Sequence, residues 1–225
     1  MNSKSKIWHW LAVALLSMIW GTSYILMKKG LRSFSAYQLA SLRILISFIC
    51  TLPFALRSLP KFNKKNFRSI FIIGFFGSGI PAFLYPLAET RIDSSLTGML
   101  NTLSSAFTLL IGILFYRRKA IRSQIAGVFL GFAGAAGLLY SGPLSINYYG
   151  LFVVLATIMN GLSNNEVSTV EGLNGLEITS LAFLIVSPVA LALFLGTDIK
   201  AIFLTPDWLL NFGYIAILSV AGSAF

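Results

Sequence analysis

The chain has 225 residues, of which 56% are apolar and only 11% charged, and its mean hydropathy is +0.82. That balance excludes an ordinary soluble domain and points to a protein dissolved in lipid. The formal charge of +10 does not signal nucleic acid, because the cations sit in short connections between apolar runs.

A single cysteine, Cys50, and a single histidine, His9, rule out a disulfide framework and a Cys/His metal cluster within one chain. No metal or other cofactor is expected. Cys50 reads as a packed thiol, and His9, between Trp8 and Trp10, as a residue at the headgroup level.

Seven apolar segments follow one another: Trp8–Met27, Tyr37–Leu56, Ser69–Ala88, Leu96–Tyr116, Gln124–Tyr140, Tyr149–Asn165 and Ile178–Gly196. An eighth, Trp208–Phe225, is cut short by the chain end. A hydrocarbon core about 30 Å thick takes ~20 helical residues, near the length of most of these runs. The stretches LAVALLSMIW and ILISFICTLPFAL are apolar all round, whereas barrel strands would alternate. The predicted fold class is all-α, a polytopic transmembrane helical bundle. Its longest connections, near residues 57–68, 141–148 and 166–177, leave no room for a soluble domain.

The first run follows Lys4 and Lys6 but is too long for a signal peptide and leads into Trp20, Gly21 and Tyr24 without a convincing A-x-A cleavage site, so it reads as an uncleaved span. Ser17, Gly21, Tyr24 and Lys28 share one of its faces, with Trp20 beside them. In the second, Arg43 places a charge that costs at least about 2.5 kcal/mol at a span's centre unless hydrated or paired. A cavity role and an anchoring role at the span's outer end are both open for it, with Glu89 and Asp93 as candidate partners. Pro81 and Pro86 interrupt the third, each removing a backbone donor. With Ser78, Gly79, Tyr85 and Glu89 nearby, this segment reads as a moving gate or as a static kink.

Along the fourth run, Thr97, Asn101, Ser104, Ser105 and Thr108 form a polar stripe continued by Gly112. The fifth holds Gly127-x-x-x-Gly131 with Gly134, Ala135 and Gly137, a small-residue pattern that supports helix packing and a candidate homodimer face but no chemistry. Thr157, Gly161, Asn164 and Ser168 repeat the stripe in the sixth, with Asn160 adjacent. A lone serine or threonine often bonds only its own helix. Three stripes in three spans favour a shared polar cavity.

Charge sets the expected orientation. With a cytoplasmic N-terminus, one side collects Lys4, Lys6, Arg57, Lys61, Lys64, Lys65, Arg68, Arg117, Arg118, Lys119 and Arg122, and the other only Lys28, Lys29, Arg32, Arg91 and Lys200. Eleven against five fits the positive-inside rule, and the expected location is the cell membrane. Displacing the sequence by 142 residues puts Gly30-Leu31 on Gly172-Leu173 and overlays spans one to three on spans six to eight. The expected organisation is an inverted five-plus-five repeat with its second half incomplete: residues 1–141, then a partial repeat at 142–225. A truncated reading frame is expected; the rival is a complete eight-span protein.

The segment IWGTSYILMKKGL (Ile19–Leu31) resembles the first-span signature of the drug/metabolite transporter superfamily, EamA type. The block from Ala82 to Leu139 resembles that family's third to fifth spans. The resemblance implies ten helices in two inverted repeats, alternating access, and a cavity bounded by spans one, three, four, six, eight and an absent ninth. Substrate contacts implied on this chain are Trp20, Tyr24, Tyr85, Asn101, Ser105, Asn160 and Asn164, binding a small polar molecule without catalysis. Two departures stand out. Ser104 or Ser105 occupies the place of a usual proline in the fourth span, and Arg117 and Arg118 stand where a glutamate is usual.

The leading functional expectation is thus a secondary transporter that exports or exchanges a small polar metabolite. Arg43, Pro81, Glu89 and Glu166 are its candidate gating or coupling residues; proton coupling through Glu89 or Glu166 and proton-free exchange are both open. The alternatives are a polytopic membrane enzyme, disfavoured by scattered carboxylates, and a receptor or non-transporting subunit. No nucleotide-binding Gly-Lys motif is present, so ATP drive would need another subunit.

Overall fold

A computed structural model describes residues 3–139 and 148–223. The boundary foreseen between the two repeats, and the side chains of Trp8 and His9, lie outside the described residues. Within them every element is helical, in the order α1 Ser3–Gly30, α2 Ala36–Ser58, α3 Lys64–Ile72, a π-helical stretch Ile73–Gly79, α4 Ile80–Glu89, α5 Ser94–Asn101, α6 Leu103–Leu114, α7 Arg122–Leu139, α8 Tyr148–Val167, α9 Gly175–Leu195, α10 Ile199–Phe203 and α11 Trp208–Ser223. Four helical stretches among the described residues are long and apolar enough to cross a membrane: Ala36–Lys61, Lys64–Glu89, Ser94–Leu114 and Gly175–Leu195. The protein is a polytopic helical bundle.

Local chemistry sets the helix starts. Ser35 and Gln38 form a reciprocal capping box at α2, and Asn174 and Glu177 form another at α9. Asn63 caps α3 by accepting from the Asn66 amide, and Asp198 caps the short α10. The third span is interrupted where its prolines require. Pro81 cannot donate to the carbonyl four residues earlier, and the chain just before it runs as a π-helix. In the fourth span, Thr102 joins α5 to α6 with helical dihedrals, φ −60° and ψ −22°, so the two run on as one stretch.

Packing is centred on α2 and α9, which lie against each other. Leu39, Ile44, Leu181, Ala182 and Val186 are buried on these two helices. The chain crosses back so that α1 packs on α11, and α8 packs on α6, α4 and the π-helical stretch. Gly161 makes the α8–α6 approach close: a Cβ there would stand 2.9 Å from the Phe107 carbonyl carbon and the Thr108 nitrogen. The glycines of α7 do no such work. Gly127, Gly131, Gly134 and Gly137 face open space, and α7 leans on α6 through Phe132, whose ring meets Phe107 edge-on at 5.0 Å. The packing foreseen for Gly127-x-x-x-Gly131 is therefore not made within the chain. Cys50 is likewise exposed on α2 rather than packed, among apolar side chains such as Ile49 that also face outward.

One end of the bundle gathers the cations of the α2–α3 and α6–α7 connections. Lys61 pairs with Glu177 at 2.5 Å, Lys65 with Glu171 at 2.9 Å, and Arg118 donates to Ser168 Oγ at 2.5 Å. These contacts bring residues 57–68, 117–122 and 166–177 to a common basic end.

Candidate functional site

Two cavities, of 180 and 230 Å³, share Arg43, Tyr85, Asn160, Leu218 and Gly222 in their linings and so meet at the centre of the bundle. Trp20, Ser23, Tyr24 and Met27 of α1 with Asn101 of α5 complete the larger, and Ser47, Gly77, Ser78, Pro81 and Phe183 contribute to the smaller.

The polar wall is built across helices. Asn160 Nδ2 on α8 donates to the Tyr85 hydroxyl at 2.9 Å, and that hydroxyl donates to Asn101 Oδ1 at 2.5 Å. Ser104 also donates to Asn101 Oδ1, at 3.2 Å. The Tyr24 ring stands edge-on to Tyr85 at 6.0 Å. Above them Arg43 sends Nη1 toward Met27 Sδ at 3.6 Å, while its buried Nε has no hydrogen-bond partner. A guanidinium with a free donor beside a chain of hydroxyl and amide groups is suited to hold a small hydrogen-bonding solute.

The cavity thus brings together Trp20, Tyr24, Tyr85, Asn101, Asn160, Arg43 and Pro81. It does not take in Asn164 or Ser105. Both are exposed, and Asn164 Nδ2 donates to Thr108 Oγ1 at 3.2 Å, bridging α8 to α6. The sixth-span stripe accordingly faces α6: Gly161 admits the neighbouring backbone, and only Asn160, one position aside, reaches the cavity. In the fourth span Ser105, one turn beyond Asn101, is exposed and lines neither cavity.

Neither foreseen partner pairs with Arg43. Asp93 is exposed just ahead of α5, and Glu89, fully buried at the end of α4, lies beyond ion-pair distance. Both Glu89 carboxylate oxygens lack a hydrogen-bond partner, and it is the main-chain oxygen of Glu89, with that of Ile92 at 2.8 Å, that receives Lys28 Nζ. Lys28 therefore ends α4 by satisfying carbonyls the helix leaves open. Glu166 belongs to the basic end, where it accepts from Ser69 Oγ at 2.8 Å and from the Tyr116 hydroxyl.

Several cavity residues escaped the sequence. Ser47 Oγ donates to the Ser219 carbonyl at 3.0 Å, joining α2 to α11 at the cavity edge. A serine in an apolar run gives no sign of which helix it will meet, since back-bonding to its own helix is the commoner use. Asn165, fully buried, donates to the Thr108 and Gly161 carbonyls at 2.8 Å each and locks α8 to α6.

Membrane-length helices around an internal polar chamber define an integral membrane protein with a solute-sized interior. Residues 7–140 match the EamA-like transporter family, and the chain belongs to it. An uncharacterized transporter of Archaeoglobus fulgidus is 28% identical over 149 residues, covering 66% of this chain and 52% of that protein. The uncharacterized transporter YdfC of Bacillus subtilis is 22% identical over 144 residues, 63% of this chain and 47% of that protein. A second uncharacterized transporter of Archaeoglobus fulgidus is 29% identical over 147 residues, 64% of this chain and 48% of the relative. The chain matches about half the length of each of these relatives. No solved structure matches it significantly.

Proposed function

We propose that the chain moves a small polar solute across the membrane by alternating access, with the cavity around Arg43, Tyr85 and Asn160 as the solute site. The observation that carries this reading is the convergence of a guanidinium, a phenol and two carboxamides from separate helices on one void inside an apolar bundle. Tyr85, Asn101 and Asn160 bond one another, yet they and Arg43 still border an open void, which groups placed only to hold helices together would not need. Cavities of 180 and 230 Å³ fall below the roughly 300–1,000 Å³ of drug-sized pockets and suit a metabolite. The unpartnered Arg43 donor favours a solute bearing a carboxylate or a similar acceptor. Trp20 and Tyr24 supply ring walls, Tyr85, Asn101 and Asn160 the polar contacts, and none has a catalytic role.

Helix packing supports an inverted repeat as the moving frame. The contact of α1 with α11 corresponds to that of α8 with α4, the contact of α2 with α11 to that of α9 with the π-helical stretch, and α2 and α9 meet each other. Ser17, Gly21, Tyr24 and Lys28 stand 140 residues before Thr157, Gly161, Asn164 and Ser168, respectively. Rocking of one repeat against the other would expose the site alternately. The π-helical stretch ahead of Pro81 is the hinge of this reading, and the Ser69–Glu166–Tyr116 bonds are the latch at the basic, cytoplasmic end. Export or exchange across the cell membrane follows from the same reading.

Proteoliposomes test it with a panel of radiolabelled amino acids, organic acids and sugars. Saturable flux of one class, lost in Arg43→Gln and in Asn160→Ala, supports the assignment. Flux that survives both substitutions, or neither flux nor binding across the panel, overturns it.

A further inference from the structure

A third cavity, of 620 Å³, lies at the basic end between α3, α8 and the turn after α6, and shares no lining residue with the central chamber. Its lining is mixed in chemistry. Lys65, Arg68, Ser69 and Thr169 supply its polar lining, and Ile72, Phe115 and Leu162 its apolar lining. Phe115 and the neighbouring Leu114 are among the most exposed apolar side chains of the bundle, as befits a surface turned to lipid.

The charges of the polar lining are unequally committed. Lys65 holds Glu171 in an exposed pair, a contact that draws the Glu171 carboxyl below the usual carboxylate range but is open to water and salt. Glu166 also lines the cavity, and both of its oxygens already accept hydroxyl protons, from Ser69 and Tyr116. Arg68 is exposed and makes no ion pair or hydrogen bond among the described residues. A free guanidinium beside an ammonium is a phosphate-recognising arrangement, because the planar fork of arginine matches phosphate oxygens bidentately.

We propose that this cavity binds a phosphate-bearing ligand, with the phosphate on Arg68 and Lys65 and the apolar portion against Ile72, Phe115 and Leu162. The amphiphilic lining favours a phosphate presented by a membrane lipid, as in other basic pockets between spans. A soluble phosphate ester shares the headgroup chemistry and would use the same two cations.

Native mass spectrometry of the purified full chain tests this, after incubation with phosphatidylglycerol or with diacylglycerol of matched acyl chains, which lacks the phosphate. A parallel arm measures the melting-temperature shift produced by inorganic phosphate in lipid-free detergent. Arg68→Gln is the test variant. Lys64→Gln, which removes an exposed cation at the same end but outside the cavity, is the control. Selective retention of phosphatidylglycerol, lowered about tenfold by Arg68→Gln, unchanged by Lys64→Gln and retained in Arg68→Lys, identifies a lipid phosphate. A phosphate-induced shift that disappears in Arg68→Gln without lipid selectivity identifies a soluble ester. Equal losses in the Arg68 and Lys64 variants, or neither lipid selectivity nor a phosphate shift in the parent chain, overturn the proposal.

Discussion

Asn160 Nδ2 donates to the Tyr85 hydroxyl at 2.9 Å, a bond between residues 75 positions apart that ties α8 to α4 at the wall of the central cavity. The hydroxyl passes its own proton to Asn101, so a single phenol orients amides from α8 and α5. Two carboxamides held in fixed directions at a void are a preorganised surface for a solute. They also make the wall sensitive to the loss of one oxygen atom.

Tyr85→Phe keeps the ring and removes that oxygen. Each interhelical hydrogen bond in a membrane protein is worth about 0.6–2 kcal/mol, so the variant folds with a melting temperature a few degrees lower. Solute flux falls by about tenfold, because both amides lose their orientation while the cavity keeps its shape. Thermal unfolding in detergent and flux in proteoliposomes separate the two effects. A variant with parental flux would remove Tyr85 from the solute site.

Glycines of the fifth and sixth spans look alike in sequence and differ in surroundings. Gly161→Ala drives a Cβ against backbone atoms of Phe107 and Thr108 at 2.9 Å, which no rotamer change can relieve. Overpacking of this kind costs about 1–3 kcal/mol and should loosen α8 from α6. Gly127→Ala meets nothing within 4 Å and leaves the melting temperature unchanged or slightly raised. Thermal unfolding of both variants in one detergent checks the contrast.

The same contrast shows what periodicity conveys and what it omits. Apolar run length was sufficient to read a helical bundle, because lipid requires every backbone group to be satisfied within a helix. The i, i+4 spacing also placed Tyr24 and Asn101 on inward faces that meet in one cavity. Spacing could not tell a face turned to a cavity from one turned to a neighbouring helix. Gly161 shows why: its missing side chain draws α6 so close that Asn164 becomes a bridge to Thr108, while Asn160, off the stripe, lines the void. Ser47 and Ser219 were illegible for a related reason, since a hydroxyl's partner depends on which helices meet, and that is a tertiary fact.

At the basic end, the Tyr116 phenol is pushed up to about 12, chiefly by burial and then by its hydrogen bond to Glu166. A phenol raised in the folded state loses its proton first in the unfolded chain as pH rises. Its contribution to stability is therefore complete below about pH 10 and lost as the pH rises through about 12. The melting temperature should drop over that interval in the parent chain and drop less in Tyr116→Phe. Glu166→Gln should flatten the same part of the curve, since it removes the acceptor and its charge. Identical slopes in all three proteins would show that Tyr116 does not sense the latch.

Arg43 offers the sharpest separation of function from stability. Among the described residues it has no carboxylate within ion-pair distance and it leaves its buried Nε unpaired, so holding this partly buried charge in the bundle is a cost that packing elsewhere offsets. Replacing a buried, poorly paired charge by a neutral group of similar length is often neutral or stabilising. Arg43→Gln should accordingly melt at or above the parent temperature while solute flux falls at least tenfold, the pattern of a residue retained for binding at the expense of the fold. Arg43→Lys keeps the charge but not the planar fork, and should recover flux only in part if the solute is a carboxylate gripped by two donors. Flux and melting measured on the same preparations decide the matter: if both variants unfold early and transport normally, Arg43 is a packing element and the solute site lies elsewhere.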